Sequence, residues 1–291
     1  MAEYEDRWWR SADGTLRLHA RDYPAVGEER GLPVVCLHGL TRNARDFEDL
    51  APWIARRGRR VLVMDVRGRG ESERDPQPMN YHPGRYAEDV LAGMDSLGVA
   101  RAVFVGTSMG GLITMVTAQV RDSAVAAAAL NDVGPQLNPE ALVRIAAFVG
   151  VQPDVATWDD AVAYTRGING VNFPGVDDDA FWERFARRLF REDASGRPVL
   201  DYDQEISAIF RVAPTGPAPD LWPAFRHLAR NRPTLLIRGA ISDLLLEDGA
   251  ARMREEAPDM ALAEVPNVGH APLLDEPEAL DALAALLDRA E

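Results

Sequence analysis

Short apolar segments alternate with longer amphipathic segments along this chain, and this alternation restricts the fold more than any other feature. The apolar segments, each rich enough in apolar residues for a buried strand, span 33–37, 60–65, 102–105, 125–130, 234–237 and 261–265. Helical patterns at 45–56, 85–97 and 109–120 separate the early ones. Buried strands joined through helices are typical of a parallel sheet with helices on both faces. The predicted fold class is therefore α/β, with a mostly parallel twisted sheet flanked by helices.

The two ends of this pattern predict a hairpin and a final helix. Residues 8–23 alternate around Asp13-Gly14, a turn pair that favours an antiparallel hairpin. The last helix is predicted to begin at Asp275 as N-cap and to place Leu280, Leu283 and Leu287 on one face.

The alternation stops between Pro135 and Arg232, where helical patterns follow one another without a convincing strand. We therefore predict a core formed by 1–134 and 233–291, with 135–232 inserted as a helical lid. Helices are predicted to open at Asn138-Pro139, at Thr157 and after the aspartates 177–179, which complement a helix N-terminus. This insertion holds 12 of the 21 aromatic residues. They suit either packing within the lid or an apolar roof over a pocket.

The charged residues exclude several classes of protein. There are 46 acidic and 32 basic residues, which give a net charge of −14. Such a charge repels nucleic-acid phosphates and anionic lipid, so neither nucleic acid nor a membrane is an expected partner. Every basic residue is arginine, which excludes a P-loop lysine, a Schiff-base lysine and a Ser/Lys pair.

Targeting and redox features predict a cytoplasmic protein. Cys36 is the single cysteine, so an internal disulfide and a cysteine-rich zinc site are excluded. The first ten residues lack the apolar region of a signal peptide, and no apolar run approaches the ~20 residues of a membrane-spanning helix.

The strongest local motif is Gly106-Thr107-Ser108-Met109-Gly110, placed between an apolar strand and an apolar helix. This is a Gly-x-Ser-x-Gly nucleophile elbow in the required context. The turn strains the serine and leaves no room for side chains beside it, which explains both glycines. Ser108 is therefore the predicted nucleophile.

A serine nucleophile needs a base, and His270 has the right position among the five histidines. It follows the last strand and precedes the last helix, which places it at the same sheet edge as Ser108. His19 lies in the hairpin, and His82 and His227 lie in a loop and in the insertion.

Two aspartates could orient that histidine, because each follows a strand and lies between Ser108 and His270 in the chain. Asp243 follows the strand at 234–237, and Asp132 follows the strand at 125–130. We favour Asp243, whose strand immediately precedes the one that delivers His270. Asp132 is then expected to cap the turn into the insertion.

Acyl transfer also needs an oxyanion hole and a pocket. The backbone N–H groups of Met109 and Leu40 are the predicted oxyanion donors, and His38 is expected to brace the loop that carries Leu40. The predicted pocket residues are His38, Gly39, Arg42, Asp132, Phe148, Trp158, Phe181 and Trp182. The loop 65–72 lacks the Gly-x-Gly-x-x-Gly spacing of a nucleotide site and is expected only to shape its surroundings.

Taken together, these motifs resemble the α/β-hydrolase superfamily, in particular its lid-bearing esterase, enol-lactonase and carbon–carbon hydrolase branch. The resemblance spans essentially the whole chain and rests on 38–39, 65–72, 106–111, 242–243 and 269–270. Serine at 108 disfavours the dehalogenases and epoxide hydrolases of that superfamily, in which aspartate attacks.

The expected function is hydrolysis of a small, apolar carboxylic ester or lactone through an acyl-enzyme, with no cofactor and no metal. Carbon–carbon cleavage of a vinylogous diketo acid is the enzymatic alternative. It would need a pocket arginine for the substrate carboxylate, for which Arg42 and Arg166 are the candidates. A hydrolase-fold protein that binds a ligand without turning it over is the alternative from another class. The oligomeric state does not follow from the sequence.

Overall fold

A computed structural model describes residues 3–211 and 220–290 of the chain. Its strands are β1 (Glu5–Arg10), β2 (Arg17–Tyr23), β3 (Val34–Leu37), β4 (Val61–Asp65), β5 (Ala102–Thr107), β6 (Val125–Asn131), β7 (Phe190–Glu192), β8 (Pro198–Leu200), β9 (Thr234–Gly239) and β10 (Ala261–Val265). Its α-helices are α1 (Leu50–Ala55), α2 (Pro83–Ser96), α3 (Met109–Val120), α4 (Pro139–Phe148), α5 (Trp158–Asn169), α6 (Asp179–Leu189), α7 (Ala208–Arg211), α8 (Trp222–Arg230), α9 (Glu247–Glu256) and α10 (Pro277–Arg289).

Eight of the strands form one mostly parallel sheet in the order β1-β2-β4-β3-β5-β6-β9-β10. The predicted hairpin is confirmed, since β1 pairs antiparallel with β2, and β2 pairs antiparallel with β4. All the remaining neighbours pair in parallel. The α/β fold class predicted from the alternating pattern is therefore confirmed.

Both faces of the sheet are covered, because successive strand residues point to opposite sides. Val35 and Leu37 face a core that includes α2, α3 and α8. Val34 and Cys36 face a second core, formed with α1 and α10. This burial on both faces explains why the central strands are continuously apolar. No helix in the described ranges is long and apolar enough to cross a membrane.

The segment between β6 and β9 departs in part from the prediction. Helices α4, α5 and α6 begin where expected, with N-caps Asn138, Thr157 and Asp178. The hairpin of β7 and β8 was not predicted, because its strands have only three residues each and show no periodicity.

Helix α8 falls inside the predicted insertion 135–232, whose boundaries stay a prediction. Helix α8 packs against α3 of the core, and Phe225 and Leu228 are buried in the core that α3 helps to form. We therefore use "inserted segment" for residues 135–211, the described part that precedes α8.

Two helix starts in the core also differ from the prediction. The helical pattern at 45–56 divides into a 3₁₀ turn at Ala44–Phe47 and the short helix α1. The last helix begins at Pro277 with Glu276 as N-cap, so the prediction of Asp275 as N-cap is wrong. Proline is suited to the first helical position, because its missing N–H would have no partner there.

Candidate active site

Ser108 lies in a strained turn between β5 and α3. Its φ of 51° and ψ of −114° place a non-glycine residue in a rarely occupied region. A Cβ on Gly106 would lie 2.4 Å from the carbonyl carbon of Gly110, and a Cβ on Gly110 would lie 2.0 Å from the carbonyl oxygen of Leu37. The turn therefore accepts only glycine at both positions, as the motif predicts.

His270 joins Ser108 to an aspartate. Its Nε2 lies 2.9 Å from the Ser108 Oγ, and its Nδ1 lies 2.7 Å from Oδ2 of Asp132. Because a carboxylate can only accept, Nδ1 carries the proton and Nε2 accepts from the serine hydroxyl. The structure thus assembles a Ser-His-Asp arrangement in which each group has the geometry for proton transfer.

Asp132 is held on both carboxylate oxygens. Oδ1 accepts from the Gly239 N–H at 2.9 Å, and Oδ2 accepts from the Ser242 hydroxyl at 2.6 Å as well as from His270. The side chain is completely buried. A φ of 55° turns the backbone directly after β6, and aspartate tolerates that conformation better than most residues.

The prediction that Asp243 orients His270 is wrong. Asp243 is half-exposed and accepts a bidentate hydrogen bond from Arg144 of α4, with distances of 2.7–3.0 Å. The loop after β9 contributes Ser242 to the site instead, one residue earlier. Asp132, which was expected to cap the turn into the insertion, makes the contact with His270.

The loop after β3 lies beside the serine. A Cβ on Gly39 would lie 3.8 Å from the Ser108 Cβ, so the loop that carries Leu40 reaches the nucleophile. Within the described ranges, the N–H groups of Leu40 and Met109 donate no backbone hydrogen bond. The oxyanion hole that these two groups would form stays a prediction.

His38 stabilises this loop through hydrogen bonds from the protein interior. It is fully buried; the Val66 N–H donates to its Nε2 at 3.0 Å, and its Nδ1 donates to the Gly39 carbonyl at 2.8 Å. Burial lowers the pKa of His38, which keeps the ring neutral and able to accept on one side and donate on the other.

Loop 65–72, expected only to shape its surroundings, also supports this region. The buried Arg69 donates from Nε to the Leu40 carbonyl at 3.0 Å. The buried Arg67 is paired with Asp89 and Asp75. Neither guanidinium is therefore free to bind a phosphate.

A cavity of about 300 Å³ opens onto Ser108 and His270. Of the predicted pocket residues, Gly39, Arg42 and Phe148 line it. His38 and Asp132 are buried behind its wall. The wall is mostly apolar and includes Leu112, Val133, Leu137, Leu142, Ile145, Ile168, Phe173, Phe185, Leu189, Phe210, Leu244 and Leu273.

Three predicted pocket residues, Trp158, Phe181 and Trp182, are not among the lining residues, so these predictions are wrong. Trp158 donates to Glu192, and Trp182 is buried and donates to the Val176 carbonyl. Phe181 packs on Trp182 with ring centroids 5.0 Å apart. These side chains pack within the inserted segment, one of the two roles that the sequence left open.

Several lining residues were not predicted from the sequence. Leu142 and Ile145 had a usable signal, because the spacing in α4 places both on one face. Arg144, Asn169 and Asn172 had none, since a polar side chain near a helix end is ordinarily solvated.

The arginines considered for carboxylate binding are already paired. Arg42 lines the cavity but lies 2.7 Å from Asp46 and stacks over Phe185. Arg166 is half-exposed, does not line the cavity and pairs with Asp177. The described residues contain no group of three or more His, Cys, Asp or Glu side chains that could hold a metal ion.

Comparison with known proteins agrees with the fold. Residues 33–277 match the family described as alpha/beta hydrolase fold. The chain is 35% identical over 277 residues to a 3-hydroxybutyrate-oligomer hydrolase of Cupriavidus necator, covering 89% of this chain and 90% of that protein. It is 27% identical over 257 residues to a 2-(acetamidomethylene)succinate hydrolase of Mesorhizobium japonicum, covering 88% and 86%.

A solved structure shares this fold. An alpha/beta hydrolase from Novosphingobium aromaticivorans superimposes with a TM-score of 0.91 at 46% identity and covers 99% of both chains.

Proposed function

The chain belongs to the α/β-hydrolase family, and from that premise we propose that it is a serine hydrolase of carboxylic esters. One observation carries the proposal. The Ser108 hydroxyl, the His270 imidazole and the Asp132 carboxylate form a continuous hydrogen-bonded chain at the wall of an apolar cavity. Such a chain converts a weak hydroxyl nucleophile into a reactive one.

In the proposed acylation step, the Ser108 Oγ attacks the ester carbonyl carbon while His270 Nε2 takes the hydroxyl proton. The N–H groups of Leu40 and Met109 donate to the oxyanion that develops. The C–O bond to the alcohol then breaks, and His270 returns the proton to the departing alkoxide.

In the proposed deacylation step, a water gives a proton to His270 Nε2 while its oxygen attacks the acyl carbon. The bond between that carbon and the Ser108 Oγ then breaks, His270 returns the proton to Oγ, and the acid is released. Asp132 keeps the proton of the neutral imidazole on Nδ1 and stabilises the imidazolium that forms in each step. The buried N–H and O–H donors around Asp132 fix the carboxylate in the orientation that His270 needs.

The cavity supports a small substrate with an apolar body. We propose esters of short hydroxy or aliphatic acids, a class that includes the oligomers named for the Cupriavidus relative. Lactones present the same reacting group in a ring and belong to the proposed range. A cytoplasmic location, like the absence of a metal or cofactor, remains a prediction.

The Mesorhizobium relative favours an acidic substrate as a second candidate. Such a substrate carries carboxylates, which bind best to unpaired arginine. Since Arg42 and Arg144 both line the cavity but are paired with Asp46 and Asp243, we rank this candidate below a neutral ester. Carbon–carbon cleavage of a vinylogous diketo acid also needs an unpaired arginine for the substrate carboxylate, so we rank it below a neutral ester as well.

A hydrolysis screen with purified protein tests the proposal. It compares esters, 3-hydroxybutyrate oligomers, lactones, thioesters, amides, an acetamidomethylene succinate and a 2-hydroxy-6-oxo-dienoate. We expect the esters and oligomers to give the highest kcat/KM, and Ser108→Ala to abolish their turnover. Unchanged ester hydrolysis by Ser108→Ala would refute the proposed nucleophile, and binding without turnover would favour the ligand-binding alternative.

The acyl chain length of simple esters tests the role of the cavity. Each buried CH₂ contributes about 0.8 kcal/mol, so two added methylenes should raise kcat/KM by roughly ten-fold until the cavity is filled. A kcat/KM that is independent of chain length would show that the acyl group lies outside the cavity.

A further inference from the structure

One buried residue of the inserted segment, Asn172, hydrogen-bonds to the loop that carries His270. This residue ends the 3₁₀ turn Gly170–Asn172 that follows α5. Its Oδ1 accepts from the His270 backbone N–H at 3.1 Å, and its carbonyl accepts from the Gly269 N–H at 2.7 Å. Two consecutive backbone donors of the histidine loop are thus satisfied by a single residue of another region.

The inserted segment and the histidine loop are also in close van der Waals contact at this point. A Cβ on Gly269 would lie 2.7 Å from the Asn172 Oδ1 and 2.9 Å from its Cα. Only glycine at 269 lets the histidine loop approach Asn172 this closely. The approach brings the His270 N–H within reach of a side chain as short as asparagine.

The core holds the same loop from its other side. Asn131, the last residue of β6, donates from Nδ2 to the Pro272 carbonyl at 2.9 Å. His270 therefore lies between an attachment to the core at 272 and attachments to the inserted segment at 269 and 270. The Val268 carbonyl also accepts from the Ile241 N–H of the loop after β9 at 3.1 Å. Removal of the Asn172 side chain therefore takes away the contact at the histidine itself, the His270 N–H, and leaves the backbone attachments on both sides of it.

We propose that Asn172 is a positioning residue that holds the His270 ring between Ser108 and Asp132. Proton transfer then depends on the inserted segment being seated on the core, because Asn172 belongs to that segment. This inference rests on the proposed function, since it assigns Asn172 a role in the same proton transfer. Asn172 also lines the cavity, so a bound substrate can contact the residue that positions the base.

The test compares Asn172→Ala with Thr157→Ala. Thr157 forms the capping box that begins α5, the helix that leads to Asn172, and it does not line the cavity. Both substitutions weaken the inserted segment, but only the first removes a contact to His270. The measurements are the thermal unfolding midpoint, kcat and KM for an ester, and the rate at which a fluorophosphonate inactivates Ser108.

We expect Asn172→Ala to lower kcat and the inactivation rate together by roughly ten- to hundred-fold, because small misplacements of a catalytic group have effects of that size. KM should change far less. Thr157→Ala should lower the unfolding midpoint and leave kcat within two-fold of the wild type. A normal kcat in Asn172→Ala, or an equal loss of kcat in Thr157→Ala, would overturn the proposal.

Asn172→Asp provides a conservative replacement, because it keeps an oxygen that can accept from the His270 N–H. It should recover most of the kcat lost in Asn172→Ala. The added carboxylate stabilises the imidazolium, so the acid limb of the pH–rate profile should move to higher pH. Failure of Asn172→Asp to recover activity at any pH on that profile would also contradict the assigned role.

The failure of this inference is distinguishable from failure of the proposed function. If Ser108→Ala retains ester hydrolysis, the serine mechanism is refuted whatever the Asn172 variants do. If Ser108→Ala is inactive while Asn172→Ala is fully active, the mechanism stands and the positioning role is refuted.

Discussion

The loops after β6 and β9 both leave the same edge of the sheet and both carry an aspartate, but the two aspartates have different surroundings. Their strands are parallel neighbours in the sheet, and each loop carries an aspartate, Asp132 or Asp243. Asp132 comes directly after its strand, is completely buried and contacts His270. Asp243 comes four residues after its strand, has a side chain that is 43% exposed, and contacts Arg144.

The difference shows that strand order identifies candidate acids, whereas backbone geometry decides between them. The positive φ of Asp132 turns its side chain back toward the end of β9, where it accepts from Gly239 and Ser242. By residue 243 the other loop has already left the sheet edge and meets α4. A carboxylate becomes the partner of His270 only where the surrounding donors hold it there.

The largest predicted effect comes from making the same substitution in both loops. Asp132→Asn should lower kcat by roughly 10⁴-fold, because an amide favours the wrong imidazole tautomer. Its NH₂ group must also face one of the donors that now point at the carboxylate. Asp243→Asn should leave kcat within a few-fold of the wild type, measured with the same ester.

The reverse order of these two variants would return the orienting role to Asp243. Far-UV circular dichroism of both variants shows whether they are folded. Asparagine tolerates a positive φ, so Asp132→Asn should keep its backbone.

A second buried Asp–His pair provides a stability control for the site. His19 Nδ1 lies 2.7 Å from Asp65, and Nε2 lies 2.9 Å from Asp6. Burial lowers the pKa of His19, but the two carboxylates outweigh it and raise the pKa above the ordinary value of 6.5. The pair therefore adds stability that is complete below pH ~6.5 and is lost as the pH rises through the folded-state pKa.

His19→Gln should thus lower the free energy of unfolding by about 1–3 kcal/mol at pH 6 and by less at high pH, with little change in kcat. Urea unfolding at several pH values measures the difference. A difference that grows with pH would mean that His19 is neutral in the folded protein.

Ser242 allows the loop after β9 to be tested at the residue that does reach the site. Ser242→Ala removes one hydrogen bond to the Asp132 carboxylate and leaves the Gly239 N–H in place. We expect kcat to fall by about ten-fold, in keeping with the loss of a hydrogen bond to a charged group. An unchanged kcat would show that Gly239 alone orients Asp132.

The smallest effect is expected at the half-exposed ion pair between Arg144 and Asp243. Arg144→Ala removes the ion pair with Asp243, which is partly solvated on both sides. Its contribution to the free energy of unfolding should therefore be less than about 1 kcal/mol. A larger loss in thermal or urea unfolding would mean that this ion pair fastens α4 to the core.

The sequence predicts those parts of the molecule whose structure is determined by neighbouring residues in the chain. The strained turn at Ser108 requires glycines at fixed positions, and buried strands must be apolar, so both are visible without a structure. The position of His270 follows from the strand that precedes it. Asp243 was preferred on strand order, which carries no information about the backbone turn at Asp132.

The inserted segment was predictable as helical, but which of its aromatic residues line the pocket was not. An aromatic residue such as Trp182 has the same local pattern whether it packs within the segment or faces a cavity. Tertiary packing decides between these outcomes, and it also places Asn172 against the histidine loop. The short strands β7 and β8 are stabilised by pairing with each other, which local propensity does not report.

The central claim is that Ser108, activated by His270 and Asp132, is the nucleophile, and active-site labelling tests it most directly. Wild-type protein is treated with a fluorophosphonate, and peptide mass spectrometry locates the adduct while ester hydrolysis is followed in parallel. We predict one adduct per chain, on Ser108, with hydrolysis lost in proportion to labelling and labelling strongly slowed in Asp132→Asn. Hydrolysis that persists in fully labelled protein, or labelling of Asp132→Asn at the wild-type rate, would contradict the account.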